Sequence, residues 1–466
     1  MKKYAYLLLL TLLVPVVLVS CLSDDEVETD DYCYISGFTL GSMKRTLFTL
    51  SVDGEDSVYT TTFQGSLFPM TIDQRALTIE NQDSLPIRTR VDAVLVTITY
   101  EGALTWRKQD HEEDDTLWNA YSSSDSLDFT SPIEFASIAS NGNSYRTYTA
   151  KLNVHKQKAD STVWNKVGIA EPLNSFDERK ALCLEGQIMV LGEDADGSVV
   201  CALHPMETSG EWQSLATNGA EGADLSTLQM SGGTLFLSTS SGEILQSSNA
   251  LDWVSAGYPV QDGLKLVAAS PSRLYALLDG ELVSSDGGDW TAEELDDDAA
   301  YLPTEQVFGF SYTLPDGQNR LMIIGQRDDE DDTSCMVWAK AWTSDEEGDE
   351  PWMFYVPNAA DKRRCPIREQ LNVVAYDDGF LTFGGKTSDG QHEAMDSVLY
   401  SADHGITWRP YDDNDMDVDT LITQAAAEAK HITSAVDDEQ YLWLFLDSEV
   451  WRGRINRLGF LRKDPD

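Results

Sequence analysis

Between about residue 32 and residue 157, apolar and polar positions alternate with period two, and no stretch recurs at the 3.6-residue period of a helix. Leu47-Phe48-Thr49-Leu50-Ser51-Val52 and Val58-Tyr59-Thr60-Thr61-Thr62-Phe63 alternate, and Ala93 to Tyr100 is a β-branched run. Tyr148, Ala150, Leu152 and Val154 fall on one face of an extended segment, with Thr149, Lys151 and Asn153 on the other. Short strands between polar turns predict an antiparallel β-sandwich over residues 32–157.

From about residue 160 the pattern changes and begins to repeat. Trp164, Trp212, Trp253, Trp290, Trp352 and Trp408 recur with gaps of 48, 41, 37, 62 and 56 residues. In all-β sequence, periods of roughly 40–50 residues mark the blades of a β-propeller. The segments Gly186–Gly192, Gly233–Ser238, Arg273–Leu278 and Gly379–Gly385 align in content. Each predicts the second strand of a blade, apolar on both faces because a blade packs against a neighbour on each side. Units at about 180–215, 224–256, 264–295, 305–357, 370–412 and 430–458 number six. The last has three strands and no fourth, whereas Thr162-Val163-Trp164-Asn165-Lys166-Val167 stands alone before the first. Pairing of that strand with the last blade closes the ring and removes exposed sheet edges. The expectation is an all-β chain in which a six-bladed propeller over residues 160–460 follows the sandwich. Seven blades is the alternative that the long fourth and fifth units leave open.

Ser401-Ala402-Asp403-His404-Gly405-Ile406-Thr407-Trp408 resembles the Asp-box, S-x-D-x-G-x-T-W, of sialidase-like propellers. Its chemistry is structural. Asp403 accepts backbone N–H bonds within a tight turn that starts at Ser401, Gly405 supplies positive φ, and Trp408 packs between sheets. Ser284–Trp290 and Ser247–Trp253 read as copies one residue shorter.

The N-terminus reads as a processing signal. Lys2 and Lys3 precede an almost wholly apolar stretch, Leu7 to Val19, which is short for a membrane span and suits a signal peptide over residues 1–20. Leu18-Val19-Ser20-Cys21 resembles the lipobox of bacterial lipoproteins, with Cys21 as the lipidated residue. The acidic stretch 21–31 that follows reads as a tether, and resembles the surface-export motif of Bacteroidetes lipoproteins. Loss of Lys2 and Lys3 takes the formal charge from −46 to −48. Such a chain is repelled by phosphate backbones, which argues against nucleic acid as a partner.

Five cysteines remain beyond Cys21: Cys33, Cys183, Cys201, Cys335 and Cys365. Five is odd, so one thiol at least stays unpaired within a monomer. No Cys/His spacing suggests a zinc site, so no metal and no cofactor is expected. The cysteines read as small buried apolar residues whose pairing the sequence leaves open.

The chain as a whole resembles an uncharacterised Bacteroidetes lipoprotein family, a domain of unknown function with a sandwich-like N-terminal part and an Asp-box or kelch-like propeller. Ile79 to Pro86, the turn at 401–408 and the closing segment Trp451 to Phe460 carry the resemblance. It implies an outer-membrane lipoprotein held by its lipid and displayed at the surface, and it implies no activity. The N-terminal part looks immunoglobulin-like, without the Cys–Trp–Cys spacing of true immunoglobulin domains.

A sialidase needs an arginine cluster for the substrate carboxylate, and here Arg363 and Arg364 fall in a loop while Arg452, Arg454 and Arg457 fall on the closing strand and its exit. A broader glycosidase needs two placed carboxylates, which 79 acidic residues cannot select. The runs Arg327 to Asp332, Asp296 to Asp298 and Asp345 to Glu350 lack the alternating ligands and Gly of a calcium loop and read as solvated. His404 reads as solvent-facing within its turn and His111 as part of an acidic loop. The reading that remains is a noncatalytic propeller that binds a glycan or an envelope protein. The alternative is a propeller hydrolase acting on polysaccharide.

Overall fold

A computed structural model describes residues 31–459, except 51–55, 110–116, 160, 206–210, 315–316, 330, 343–349, 357–362, 388–389, 391–392, 396–397, 412–417 and 419. The expected signal peptide, Cys21, nearly all of the tether, His111 and most of Asp345 to Glu350 lie outside the described residues. The chain divides into two compact units between Lys158 and Ala159. No helix among the described residues is long and apolar enough to cross a membrane.

The N-terminal unit is layered β structure. Its largest sheet runs in the order Met70–Asp73, Thr78–Asn81, Tyr145–Lys151, Ile133–Ile138, Ala103–Lys108 and Asn119–Ala120. Ile35–Leu40 pairs with Val96–Tyr100, and Ser42–Leu50 lies between Asp56–Gln64 and Thr89–Arg90. Ile35, Phe38, Leu40 and Met43 of the smaller sheets meet Ile79, Ile133, Phe135, Tyr148 and Ala150 of the large one in a single core. One pairing departs from the antiparallel expectation, since Thr78–Asn81 runs parallel to Tyr145–Lys151. Period-two patterning shows which face is buried and says nothing about strand direction. The segment Ile79 to Pro86 is held there by Asn81, which is buried. The Asn81 amide donates to Asn153 O at 2.9 Å, and its Oδ1 accepts from Asn153 N at 2.7 Å.

Among the described residues, the second unit holds six four-stranded antiparallel sheets. The first five begin with Arg179–Leu184, Gln229–Ser231, Lys265–Ala269, Glu305–Thr313 and Asn372–Tyr376. The sixth begins with Ile432–Val436 and is completed by Thr162–Ile169, which lies antiparallel to Glu449–Ile455. Gln187–Glu193, Thr234–Ser238, Leu274–Leu278 and Gly379–Phe383 are second strands. Gly379–Phe383 is buried at every position.

Six apolar clusters fill the gaps between successive sheets. Leu182 meets Leu235 between the first and second, and Ile244 meets Leu266 between the second and third. Tyr275 and Trp338 share the third gap, Met322 and Phe380 the fourth, Leu381 and Leu444 the fifth. Trp443 and Phe445 of the sixth sheet then pack on Ile188 and Val190 of the first, which closes the ring.

The six recurring tryptophans explain the period. Trp164 stands on the outermost strand of the sixth sheet, and the other five each stand one residue before the outermost strand of theirs. Each of the six enters a different one of the six clusters. The repeat is therefore a packing device, one indole per gap. A Cβ on Gly453 would overlap the Trp164 indole, so this glycine is what lets the closing strand lie flat against its partner.

The first strands approach one another around the axis, and polar side chains tie their ends. Ala181 N donates to Thr433 Oγ1 at 3.0 Å, Leu266 N to Ser238 Oγ at 3.2 Å, and Ile432 N to Gln370 Oε1 at 2.5 Å. One helix, Thr420–Glu428, is an unexpected element in the connection from the fifth sheet to the sixth. Its buried Ile422 and Ala426 are four residues apart on one face, and three consecutive alanines favour helix. Nine residues are too few for such a period to stand out.

Candidate functional site

The residues of the Asp-box-like turn, Ser401 to Trp408, come together at the outer rim of the fifth sheet. Ser401 Oγ donates to Asp403 Oδ1 at 2.9 Å and accepts from Gly405 N at 2.7 Å. Asp403 also accepts from Thr407 N at 2.8 Å and Thr407 Oγ1 at 2.6 Å, and the Trp408 indole donates to Gly405 O at 3.2 Å. Ser247–Trp253 repeats this pattern with Asn249 as the acceptor and a Trp253 indole bond to Ala250 O at 3.1 Å. The third copy differs. Ser285, not Ser284, ends the strand and clasps the turn, and the Trp290 indole donates to Pro259 O instead. His404 is not solvent-facing, because φ of 58° turns it inward, half-buried, onto Tyr312 with ring centroids 4.9 Å apart.

Beside this turn lies a cleft of about 590 Å³ lined by Tyr400, Asp403, Arg409, Tyr411 and Arg457. Most of its polar groups already answer one another. Arg457 bonds Asp377 and donates to Tyr411 Oη at 2.8 Å, and Tyr400 Oη donates to Asp377 O at 2.6 Å. The other closing arginines are committed too. Arg452 lies against Asp437 and stacks on Tyr441, and Arg454 donates to Glu439 O at 2.8 Å. No sialidase-like arginine cluster forms from them. Asp328, Asp329 and Asp331 are exposed, while Arg327 forks onto Asp332 at 2.5 and 2.8 Å.

The opposite situation holds at the start of the first sheet. Lys180, Leu182 and Leu184 share one face of the strand Arg179–Leu184, and Leu182 and Leu184 enter the cluster shared with the second sheet. Glu178 has the same parity, and so does Glu193, two residues beyond Leu191 of that cluster. Backbone pairing (Glu193 N to Glu178 O, 3.2 Å) sets the two acids side by side. Asp224, which caps the turn into the second sheet, acts electrostatically on both Glu178 and Lys180. From this cluster Lys180 extends across the axis. Its ammonium lies 4.2 Å from the centroid of Phe308, on the first strand of the fourth sheet and so opposite in the ring.

Among the described residues, no hydrogen bond or ion pair holds the Lys180 ammonium or the carboxylates of Glu178 and Glu193. Burial lowers the Lys180 ammonium to about 8, with Asp224 opposing. Burial, then the neighbouring Glu193 and Asp224, pushes the Glu178 carboxyl up. Glu178 is exposed and Lys180 and Glu193 are half-buried, so water or a ligand completes these groups. In the sequence Glu178 and Lys180 share the parity of core leucines, a pattern too common to mark a site by itself.

Two family models cover the chain, the DUF6242 beta propeller domain over residues 158–463 and the DUF6242 N-terminal domain, a domain of unknown function, over residues 38–152. The chain belongs to the DUF6242 family. No curated protein matches this DUF6242 chain. Similar solved structures include the SapL1 lectin in complex with α-methyl fucoside (12% identity, 58% of this chain and 90% of that one, TM-score 0.35). YCF48 from Cyanidioschyzon merolae is another (13%, 63% and 99%, TM-score 0.33), as is a Trypanosoma rangeli sialidase (12%, 61% and 54%, TM-score 0.33). At such identities and scores none of the three bears on what a DUF6242 propeller binds.

Proposed function

We propose that the chain is a lipid-anchored, surface-displayed envelope protein whose propeller holds a glycan, without cleaving it, where Glu178, Lys180 and Glu193 meet the channel. The observation that carries this reading is the uncommitted hydrogen-bonding capacity there. The Lys180 ammonium, with three donors, reaches across the axis to Phe308 with Asp224 acting on it. The Glu178 and Glu193 carboxylates lie side by side at the start of the first sheet. Sugar hydroxyls, which both donate and accept, satisfy both kinds. Anchoring through Cys21 rests on the lipobox-like sequence alone. Incorporation of labelled palmitate, and its loss in Cys21→Ser, tests it.

The hydrolase reading keeps one specific support, the raised Glu178 carboxyl beside two other acids, the arrangement that keeps a general acid protonated. Against it, the six innermost strands of so acidic a chain carry a single carboxylate, Glu305. Incubation of the chain from Leu22 onward with a panel of polysaccharides separates the two. Retention that Lys180→Met abolishes, without release of sugar, is the expected result. Sugar release that Glu178→Gln stops would establish hydrolysis instead, and neither retention nor release would turn the search to a protein partner.

A further inference from the structure

Cys335 sits one residue before the strand Met336–Trp342 of the fourth sheet, and the connection onward to the fifth sheet brings Cys365 against it. Cys335 N donates to Cys365 O at 2.9 Å. This bond sets the two residues side by side, and a disulfide spans roughly 4.4–6.8 Å between Cα atoms. Both side chains turn to one carbonyl, with Sγ of Cys335 at 3.3 Å and Sγ of Cys365 at 3.9 Å from Pro366 O. The thiols are also within hydrogen-bonding reach of each other. Both residues are buried, yet they line a cleft of about 290 Å³ together with Arg363, Arg364 and Trp408.

We propose that Cys335 and Cys365 form a redox pair that closes into an intrachain disulfide by exchange with an external small-molecule disulfide. The two cysteines have unequal roles. Burial pushes both thiols up, but at Cys365 the Cys335 thiol, the Thr382 hydroxyl 3.6 Å away and the Arg368 guanidinium outweigh it. The Cys365 thiolate attacks one sulfur of the external disulfide, whose other sulfur leaves as a thiolate. The Cys335 thiolate then attacks Cys365 Sγ and expels the second thiolate. Two protein thiols are oxidised, one external disulfide is reduced to two thiols, and the two protons pass to the departing thiolates.

The bond would fasten the inter-sheet connection under the Asp-box turn. Trp408 N donates to Arg363 O at 3.1 Å, and both cysteines and Trp408 share the cluster between the fourth and fifth sheets. Covalent closure would add to that packing a restraint on the unfolded chain.

The test is incubation of the full chain with oxidised glutathione at mildly alkaline pH, then alkylation under denaturing conditions and peptide mapping. The expected result is loss of two alkylatable thiols and a linked Cys335–Cys365 peptide pair, lighter than its parts by two hydrogen atoms. The melting temperature rises by about 5 °C relative to the reduced chain. Cys335→Ser is expected to stop at a glutathione adduct on Cys365. Full alkylation of both residues after oxidation, or a link from either to Cys33, Cys183 or Cys201, would overturn the proposal, and neither readout depends on a variant that folds.

Discussion

At the outer rim of the propeller, Ser401, Asp403 and Thr407 bond one another and the Trp408 indole donates to Gly405 O, all within eight residues. At the start of the first sheet, the side-chain charges of Glu178, Lys180 and Glu193 make no hydrogen bond or ion pair among the described residues, and the Lys180 ammonium lies over Phe308. Both places concentrate polar groups, and they differ in whether those groups are answered. A saturated set is a folding device, because it stabilises one backbone path and offers nothing to a visitor. An unsaturated set keeps donors and acceptors that a ligand can use. The cleft next to this turn is open, yet Arg457, Tyr411 and Tyr400 are already committed there.

The comparison is sharpened most by the largest effect. Trp408→Ala, at a site 2% exposed, is expected to cost about 3–5 kcal/mol in chemical denaturation. Trp290→Ala, half-buried with its indole bonded to Pro259 O, should cost roughly half as much. Equal losses would contradict the difference between the faithful and the divergent turn.

Asp403→Ala removes three hydrogen bonds and is expected to cost about 1–3 kcal/mol. Burial pushes the Asp403 carboxyl up, but its bonds with Thr407 and Ser401 together outweigh it and hold the group below its ordinary value. A carboxyl lowered on folding contributes stability that is fully present above its unfolded pKa and is lost as pH falls through the folded one. The gap between wild type and Asp403→Ala should therefore narrow on acidification below about pH 4. A gap independent of pH would break the assignment.

Lys180→Met should have the smallest effect on stability, a gain of about 1 kcal/mol at neutral pH, because an unpaired charge leaves a partly buried site. The folded ammonium titrates at about 8, below its ordinary value of roughly 10.4. The wild-type chain alone therefore gains stability as pH rises between those values, and the difference between the two chains shrinks across that window. A loss of stability in Lys180→Met would mean that Lys180 is a structural residue.

The same contrast explains what could be read from the residues alone. The Asp-box turn is local, so eight consecutive residues and a recurring tryptophan reveal both it and the ring it belongs to. The channel-rim cluster is not local. Glu178, Glu193 and Asp224 are brought together by a hairpin and an inter-sheet turn, and among 79 acids no spacing marks them. The proximity of Cys335 and Cys365 likewise depends on how the connection between two sheets returns. The register of the third turn was misjudged by one residue because Ser284 and Ser285 are adjacent, and only strand pairing distinguishes them.

The most direct test of the central claim measures glycan retention and thermal stability in parallel for Lys180→Met and Asp403→Ala. Lys180→Met is expected to lose retention while its melting temperature holds or rises. Asp403→Ala is expected to melt earlier and, below its melting temperature, to retain ligand as the wild type does. Retention that survives Lys180→Met and disappears in folded Asp403→Ala would place the ligand at the outer cleft and contradict the account.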